Sequence, residues 1–480
     1  MLRRCACGRL NAASLPETEP GMSDMNLLFI MTDQQRWDAL GAAGDWVETP
    51  NLDRLAAEGV RFSQCITTTP ICVPARVTMA TGRYPHNTSV WNNSDYTLPA
   101  DMPNWMRLVR DQGYHTSLFG KTHLHPHRGD LRDREHLLHA WGLDDVDEIG
   151  GPRASAVLDS HMTRRWADLG LLDAYREDFR ERFANKPHVV RPSVLPLGEY
   201  ADVYVGQQAK RYLESYARDE PWFCWVSFGG PHEPWDAPEP YASRYDPEAM
   251  PPPVPRSAAD HPRPQGWLDL YMERSSPAFE QGDIGAMRAN YAGNVTLIDD
   301  QIGEILSAVE ARGELDRTAV VFTSDHGEMN GDWGLIYKMN FLDGALRVPL
   351  IVRTPETATN GSGGTVVEDI AENGDIGPTL VELAGGEMSH RQFACSLLPA
   401  VAGGQHRASG LSEFRGEFML MTDEWKVALN REGKVYLLFD RRSDPAETHN
   451  LAGLPEHRAD EDALRLAILE RVAASQLKAP

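Results

Sequence analysis

Cys72-Val-Pro-Ala-Arg76 places a thiol and a guanidinium four residues apart, at the mouth of a segment that reads as a helix closed by Gly82. A helix N-terminus offers unpaired N–H groups and the positive end of the peptide dipoles, so an anion beside Cys72 is favoured. Arg76, one turn on, faces the same side. Elsewhere, Asp33-Gln34 and Asp325-His326 offer hard oxygen ligands and one imidazole, a donor set suited to a divalent cation. Lys121, His123, His232 and Lys338 add cations and proton carriers. Together these groups can neutralise an anionic ester, present a nucleophile and protonate a leaving oxygen.

Short apolar runs must carry these residues to one place. Leu27–Met31 leads to Asp33 and Gln34, and His115–Phe119 leads through Gly120 to Lys121 and His123. Trp222–Phe228 leads through Gly229-Gly230-Pro231 to His232, and Ala319–Thr323 leads to Asp325 and His326. Short, strongly apolar runs read as buried parallel strands, and open α/β sheets bind ligands at the carboxyl ends of their strands. Four such junctions are therefore expected to converge on one crevice. Helices are expected over Asn51–Glu58 with a Gly59 stop, Ala75–Thr81, Tyr291–Arg312, Ile376–Ala384 and Glu461–Ser475. Asp299-Asp300, on the third of these, reads as solvated or capping groups. His125 and His127 read as loop residues.

The 480 residues carry a formal charge of −23, which argues against nucleic-acid and membrane partners. An anionic substrate must be drawn by local groups against that field. Six sparse cysteines show no disulfide framework, and no apolar run is long enough to span a membrane. Without a secretory h-region in the first residues, the expected location is cytoplasmic.

The motif Cys72-x-Pro74-x-Arg76 with Gly120-Lys121-Thr122-His123, Pro231-His232, Asp325-His326 and Lys338 resembles the type I sulfatases of the alkaline phosphatase superfamily, over nearly the whole of residues 26–452. The resemblance implies that Cys72 becomes formylglycine through a maturation enzyme, and that one hydroxyl of its hydrate attacks the sulfur of a small-molecule sulfate ester. It implies one divalent ion, Ca²⁺ or Mn²⁺, held by Asp33, Gln34, residue 72, Asp325 and His326. Catalytic roles fall to Cys72, Arg76, Lys121, His123, His232 and Lys338, with Asn93, Lys121, His232 and Lys338 binding substrate. Gln34 and His326 depart from the commoner sulfatase pattern and resemble the choline sulfatase and phosphonate monoester hydrolase branches. Lys121 and His123 are sulfatase-like. Phosphonate monoester or phosphate diester hydrolysis on the same scaffold is the alternative.

The implied fold is α/β: a large mixed, mostly parallel sheet between helices, alkaline phosphatase-like, over residues 25–386. A smaller C-terminal α+β subdomain with an antiparallel sheet is expected over 387–480, and residues 1–24 read as a disordered tail or a mis-called start. The proline-rich stretch 231–285, with Trp91 and Trp235, is expected to shape the leaving-group pocket for an aryl, sugar or quaternary-ammonium group. A homo-oligomer is left open.

Overall fold

In the computed structural model, residues 25–477 are described except 94, 186–188 and 256–280. The tail before Met25 and the middle of the proline-rich stretch therefore lie outside the described residues. The main sheet is built from β1 (Asn26–Asp33), β2 (Val60–Ile66), β3 (His115–Gly120), β4 (Asp145–Glu148), β5 (Trp222–Pro231), β6 (Thr318–Ser324), β7 (Leu350–Arg353) and β8 (Thr365–Glu372). Its order is β4-β3-β5-β1-β6-β7-β2-β8, with β7 antiparallel to both neighbours and the other pairs parallel. The mixed, mostly parallel sheet expected from the sequence is thus present.

The central strands are apolar over most of their length because both faces are covered. Side chains alternate along a strand. Leu27, Phe29 and Met31 join a core with Val77, Trp105 and Ile376, from helices Cys72–Thr81, Trp105–Asp111 and Ile376–Leu383. Leu28 and Ile30 join the opposite core with Val205, Ile298 and Ile302, from helices Ala201–Ser215 and Gln281–Ala311. All residues of β1, β5 and β6 are buried. At the sheet edge, β4 (Asp-Val-Asp-Glu) is short and acidic, which discourages pairing with another chain.

A second sheet of antiparallel strands runs β12-β11-β10-β9, from β9 (Ser409–Phe414), β10 (Glu417–Thr422), β11 (Trp425–Leu429) and β12 (Val435–Asp440). Helix Arg458–Ala474 covers one face through Leu464 and Ile468 against Leu420, Val427 and Leu438. The other face, through Met419, Met421 and Phe439, packs on Ile71, Met329, Trp333 and Phe341. Those partners lie in the loops around Cys72 and after Asp325, so the small sheet backs the loops of the crevice. Among the described residues no helix is long and apolar enough to cross a membrane.

Three local expectations are refined. Helix Pro50–Glu58 ends before Gly59, but Gly59 is extended (φ −122°, ψ −159°), so no left-handed stop is made. The glycine is needed for close approach: a Cβ there would meet Val352 O at 2.6 Å. Helix Cys72–Thr81 begins three residues earlier than expected and closes on Gly82 at φ 66°. Asp299 is fully buried and caps helix Pro50–Glu58 from a distance, accepting from Asn51 N (3.0 Å) and Leu52 N (2.8 Å) where Thr49 makes no side-chain cap. Asp300 accepts from Tyr241 Oη at 2.6 Å.

Burial pushes the Asp299 carboxyl up to about 6, against the lowering effect of those N–H groups. A carboxyl with a raised folded pKa binds its proton more tightly when folded, so its contribution to stability falls as pH rises from 3.8 towards 6. Asp299→Asn is expected to gain on wild type across that window, by up to about 3 kcal/mol. Urea denaturation of both proteins at pH 4 and pH 7 reads the difference, and a pH-independent gap contradicts it.

Candidate active site

The parallel strands end on one side and deliver their successors there. Register between β1 and β5 slips between Met31 and Asp33, setting Asp33 opposite Pro231 with His232 next in the chain. Thr32 pairs with Ser324, so Asp33 and Asp325 leave adjacent strand ends together. Gly120 (φ 117°) lies so close to β5 that a Cβ would meet Ser227 O at 1.8 Å; the chain turns there and Lys121 N donates to the same oxygen at 2.9 Å.

Cys72 is the first residue of its helix and is buried. The helix has no side-chain cap from Ile71; instead Asn93 Oδ1 accepts from Val73 N at 2.9 Å. Asn93 thereby anchors the helix start as well as lining the opening. Arg76 is buried beneath Cys72 and acts as a cross-brace. Its Nε donates to Asp325 Oδ2 (2.7 Å), Nη2 to Asp33 Oδ2 (3.0 Å), and Nη1 to Lys121 O (2.7 Å) and Ser227 Oγ (3.2 Å). Lys121 Nζ adds a contact to Asp33 Oδ2 at 2.5 Å.

His326 Nδ1 donates to Gly327 O at 3.0 Å, which leaves Nε2 directed at Cys72 Sγ (3.1 Å). The same Nε2 lies 3.9 Å from Asp33 Oδ1 and 3.7 Å from Asp325 Oδ1. Ligand atoms of Asp33, Cys72, Asp325 and His326 all fall within 4.8 Å of one another. Asp33 Oδ1 is buried without a hydrogen-bond partner. An unpartnered carboxylate oxygen is costly in a dry site, and a cation at this cluster would remove the cost. The donor set therefore fits a divalent ion, with a histidine oriented through its other nitrogen as metal-binding histidines are.

Gln34 also enters the site, at φ 71°. Its Nε2 donates to Glu233 Oε2 (2.8 Å) and to Glu328, while its Oε1 accepts from Lys338 Nζ. His232 Nδ1 donates to Glu233 O at 2.9 Å. His123 (φ 55°) stacks on His127, ring centroids 4.6 Å apart, with its backbone N 3.2 Å from His127 Nε2. Cys72, Asn93, Lys121, His123, His232 and Lys338 thus line the opening, and Asp33, Gln34, Arg76, Asp325 and His326 are joined to them by the contacts above.

Electrostatics follow from this packing. Burial alone would raise the Cys72 thiol, but Lys338, Lys121 and His326 outweigh it and hold it well below the usual thiol range. Burial opposes ionisation of Asp33 too, yet Lys121 and the neighbouring cations keep it below the ordinary carboxylate range. Burial, then Lys121 and His127, push His123 down to about 3.

Some features escaped sequence reasoning. Trp91 and Trp235 do not line the opening: Trp235 is buried behind Tyr337, ring centroids 6.0 Å apart, and Trp91 packs on Phe418 at 6.5 Å. Arg153, Tyr337 and Arg415 stand there instead. His125 and His127 lie on a loop, as expected, but are gathered on buried Glu148, whose oxygens also accept from Thr122. Asn373 ties Asp325 O (2.9 Å) to Thr68 N (3.1 Å), a link between distant segments with no local signal.

Comparison with known proteins matches the family model described as Sulfatase over residues 25–386, and N-sulphoglucosamine sulphohydrolase, C-terminal, over 331–473. The multifunctional alkaline phosphatase superfamily protein PehA of Trinickia caryophylli is 31% identical, over 91% of this chain and 93% of its own. The choline-sulfatase of Rhizobium meliloti is 29% identical, over 92% and 84%. The crystal structure of the phosphonate monoester hydrolase of Agrobacterium radiobacter superposes with a TM-score of 0.78 and 27% identity, over 94% of this chain and 96% of that one.

Arg76→Met strands two buried carboxylates without their shared guanidinium. The expected loss is about 3–5 kcal/mol of stability in chelator-treated protein, by denaturant titration. A loss below about 1 kcal/mol, the scale of an exposed ion pair, contradicts the bracing role.

Proposed function

This chain belongs to the sulfatase family of the alkaline phosphatase superfamily and is a sulfuric ester hydrolase, and from that premise we propose that it cleaves a sulfate monoester to an alcohol or phenol and inorganic sulfate at Cys72. The observation that carries the reading is the meeting of Cys72 Sγ, His326 Nε2 and the unpartnered Asp33 Oδ1 at one buried point. In this reading a maturation enzyme oxidises Cys72 to formylglycine, whose hydrate supplies a hydroxyl nucleophile and a route for sulfate to leave. Asp33, Asp325, His326 and residue 72, with Gln34 beside them, would hold Ca²⁺ or Mn²⁺, which would supply Lewis-acid charge neutralisation.

The remaining chemistry belongs to the chain. Arg76 holds Asp33 and Asp325 in place beneath residue 72, and Asn93 secures the start of the helix that presents it. Lys121 and Lys338, with their ammonium groups on Asp33 and Gln34, flank the position of the ester and would bind its oxygens. His123, stacked on His127, would take the proton of the group at position 72. With Nδ1 engaged by Glu233 O, His232 has Nε2 for the leaving oxygen. The buried setting strengthens each of these interactions.

A second reading, hydrolysis of a phosphonate monoester or phosphate diester, is supported by the match to the Agrobacterium enzyme and by the Gln34 and His326 identities. Lys121 and His123 favour sulfate.

Peptide mass spectrometry across Cys72, on protein made with a maturation enzyme, measures conversion of the thiol. Turnover of an aryl sulfate is expected to rise in proportion to that conversion and to exceed turnover of a bis-aryl phosphate. Full activity with an unconverted thiol contradicts the nucleophile assignment, and a preference for the phosphate diester selects the second reading. Lys121→Ala is expected to lower kcat/KM on the sulfate by about 100-fold, the scale of one preorganised charge contact. An unchanged kcat/KM removes Lys121 from the ester site.

A further inference from the structure

The crevice opens through two adjoining cavities of about 330 and 450 Å³, which share Asn93, Arg153 and His232. Lys121 stands in the first and Lys338 in the second, so the cations assigned to the ester are already accounted for. The walls beyond them carry Arg128, Arg153 and Arg415 against Asp95 and Glu233. Of these, Arg128 is paired with Asp95 at 3.0 Å and Arg153 with Glu233. A sulfate monoester brings one negative charge, which Lys121 and Lys338 can meet.

Arg153 sits at the junction of the two cavities, with its side chain 48% exposed. One end of its guanidinium is paired with Glu233, which is buried and is also held by Gln34. Its Cζ lies over two rings, 4.6 Å from the Phe183 centroid and 5.2 Å from that of Tyr337. A planar fork held in this way is preorganised for an oxyanion such as carboxylate or sulfate. The same contacts disfavour a cationic leaving group. Tyr337 lines the second cavity and could form a platform for quaternary ammonium, but it already carries Trp235 stacked at 6.0 Å and the Arg153 cation.

Resting on the sulfate-ester reading, we propose that the substrate's leaving group carries a second anionic group, a carboxylate or a further sulfate, bound by Arg153 where the two cavities meet. Arg153 is then the residue that selects anionic over neutral and cationic leaving groups.

Two sulfate esters of similar shape, 4-carboxyphenyl sulfate and 4-acetylphenyl sulfate, test this, with choline sulfate as the cationic comparison. Wild type with Cys72 conversion quantified is expected to show kcat/KM about tenfold higher on the carboxylate than on the acetyl compound, the scale of one charge-assisted hydrogen bond. Choline sulfate is expected to be the poorest of the three. Arg153→Leu should bring the carboxyl-to-acetyl ratio to about one, and Arg153→Lys should restore part of it, since a point charge replaces the fork. The ratio cancels any general damage from leaving Glu233 without its partner. Calorimetric binding of the same pair to Cys72→Ala, in the presence and absence of Arg153→Leu, reads the subsite without turnover. Turnover of sulfate esters with no carboxylate preference, or a preference that survives Arg153→Leu, overturns the subsite and leaves the sulfatase reading intact. An Arg153-dependent binding preference in a protein that turns over no sulfate ester when fully converted upholds the subsite and overturns that reading.

Discussion

Two carboxylates, Asp33 and Asp325, are buried side by side because β1 and β6 are adjacent and end in register. Like charges in a dry interior cost several kcal/mol each unless cations and hydrogen bonds answer them. Arg76 and Lys121 answer part of that charge, and one Asp33 oxygen is left without a partner. Much of the surrounding structure serves this constraint. Helix Cys72–Thr81 is held by its own arginine to the strand ends, so the spacing from Cys72 to Arg76 fixes residue 72 above the carboxylates. The loop after Asp325 is pinned by Asn373, and the small sheet supports it from behind.

Much of this was legible in the sequence for a physical reason. A strand covered on both faces must be mostly apolar, so Leu27–Met31, Trp222–Phe228 and Ala319–Thr323 stood out, and the polar residues after them marked the ligand-binding end of the sheet. β4, β7 and β8 gave weaker signals: the first and last are rich in acids, and β7 has four residues. That Arg76 shares a face with residue 72 follows from helical spacing, but its bracing of the carboxylates does not, since those partners lie 43 and 249 residues away. Asp299 illustrates the same limit. The sequence left Asp299 as a solvated or a capping group, and only the packing of helix Pro50–Glu58 against it shows which, and which helix it caps.

The pocket walls were the least legible part. Tryptophans near the site motifs suggested an aromatic leaving-group pocket, yet Trp235 is spent supporting Tyr337 and Trp91 packs on the small sheet. The wall is made by Arg153, from the short helix Gly151–Ser155, and by Arg415, from the turn between β9 and β10. Neither lies in a motif, and lone arginines in polar sequence are usually solvated. Their meeting at the opening comes from tertiary packing, which no local stretch of sequence signals.

The central claim is that the buried pair Asp33 and Asp325 is built around a divalent ion. Metal content per chain after exhaustive dialysis, by inductively coupled plasma mass spectrometry, tests it most directly. Wild type should retain close to one equivalent of Ca²⁺ or Mn²⁺, while Asp33→Asn and Asp325→Asn, confirmed as folded, should retain almost none. A metal-free wild type that hydrolyses sulfate esters at full rate, or variants that keep their equivalent, would contradict the claim.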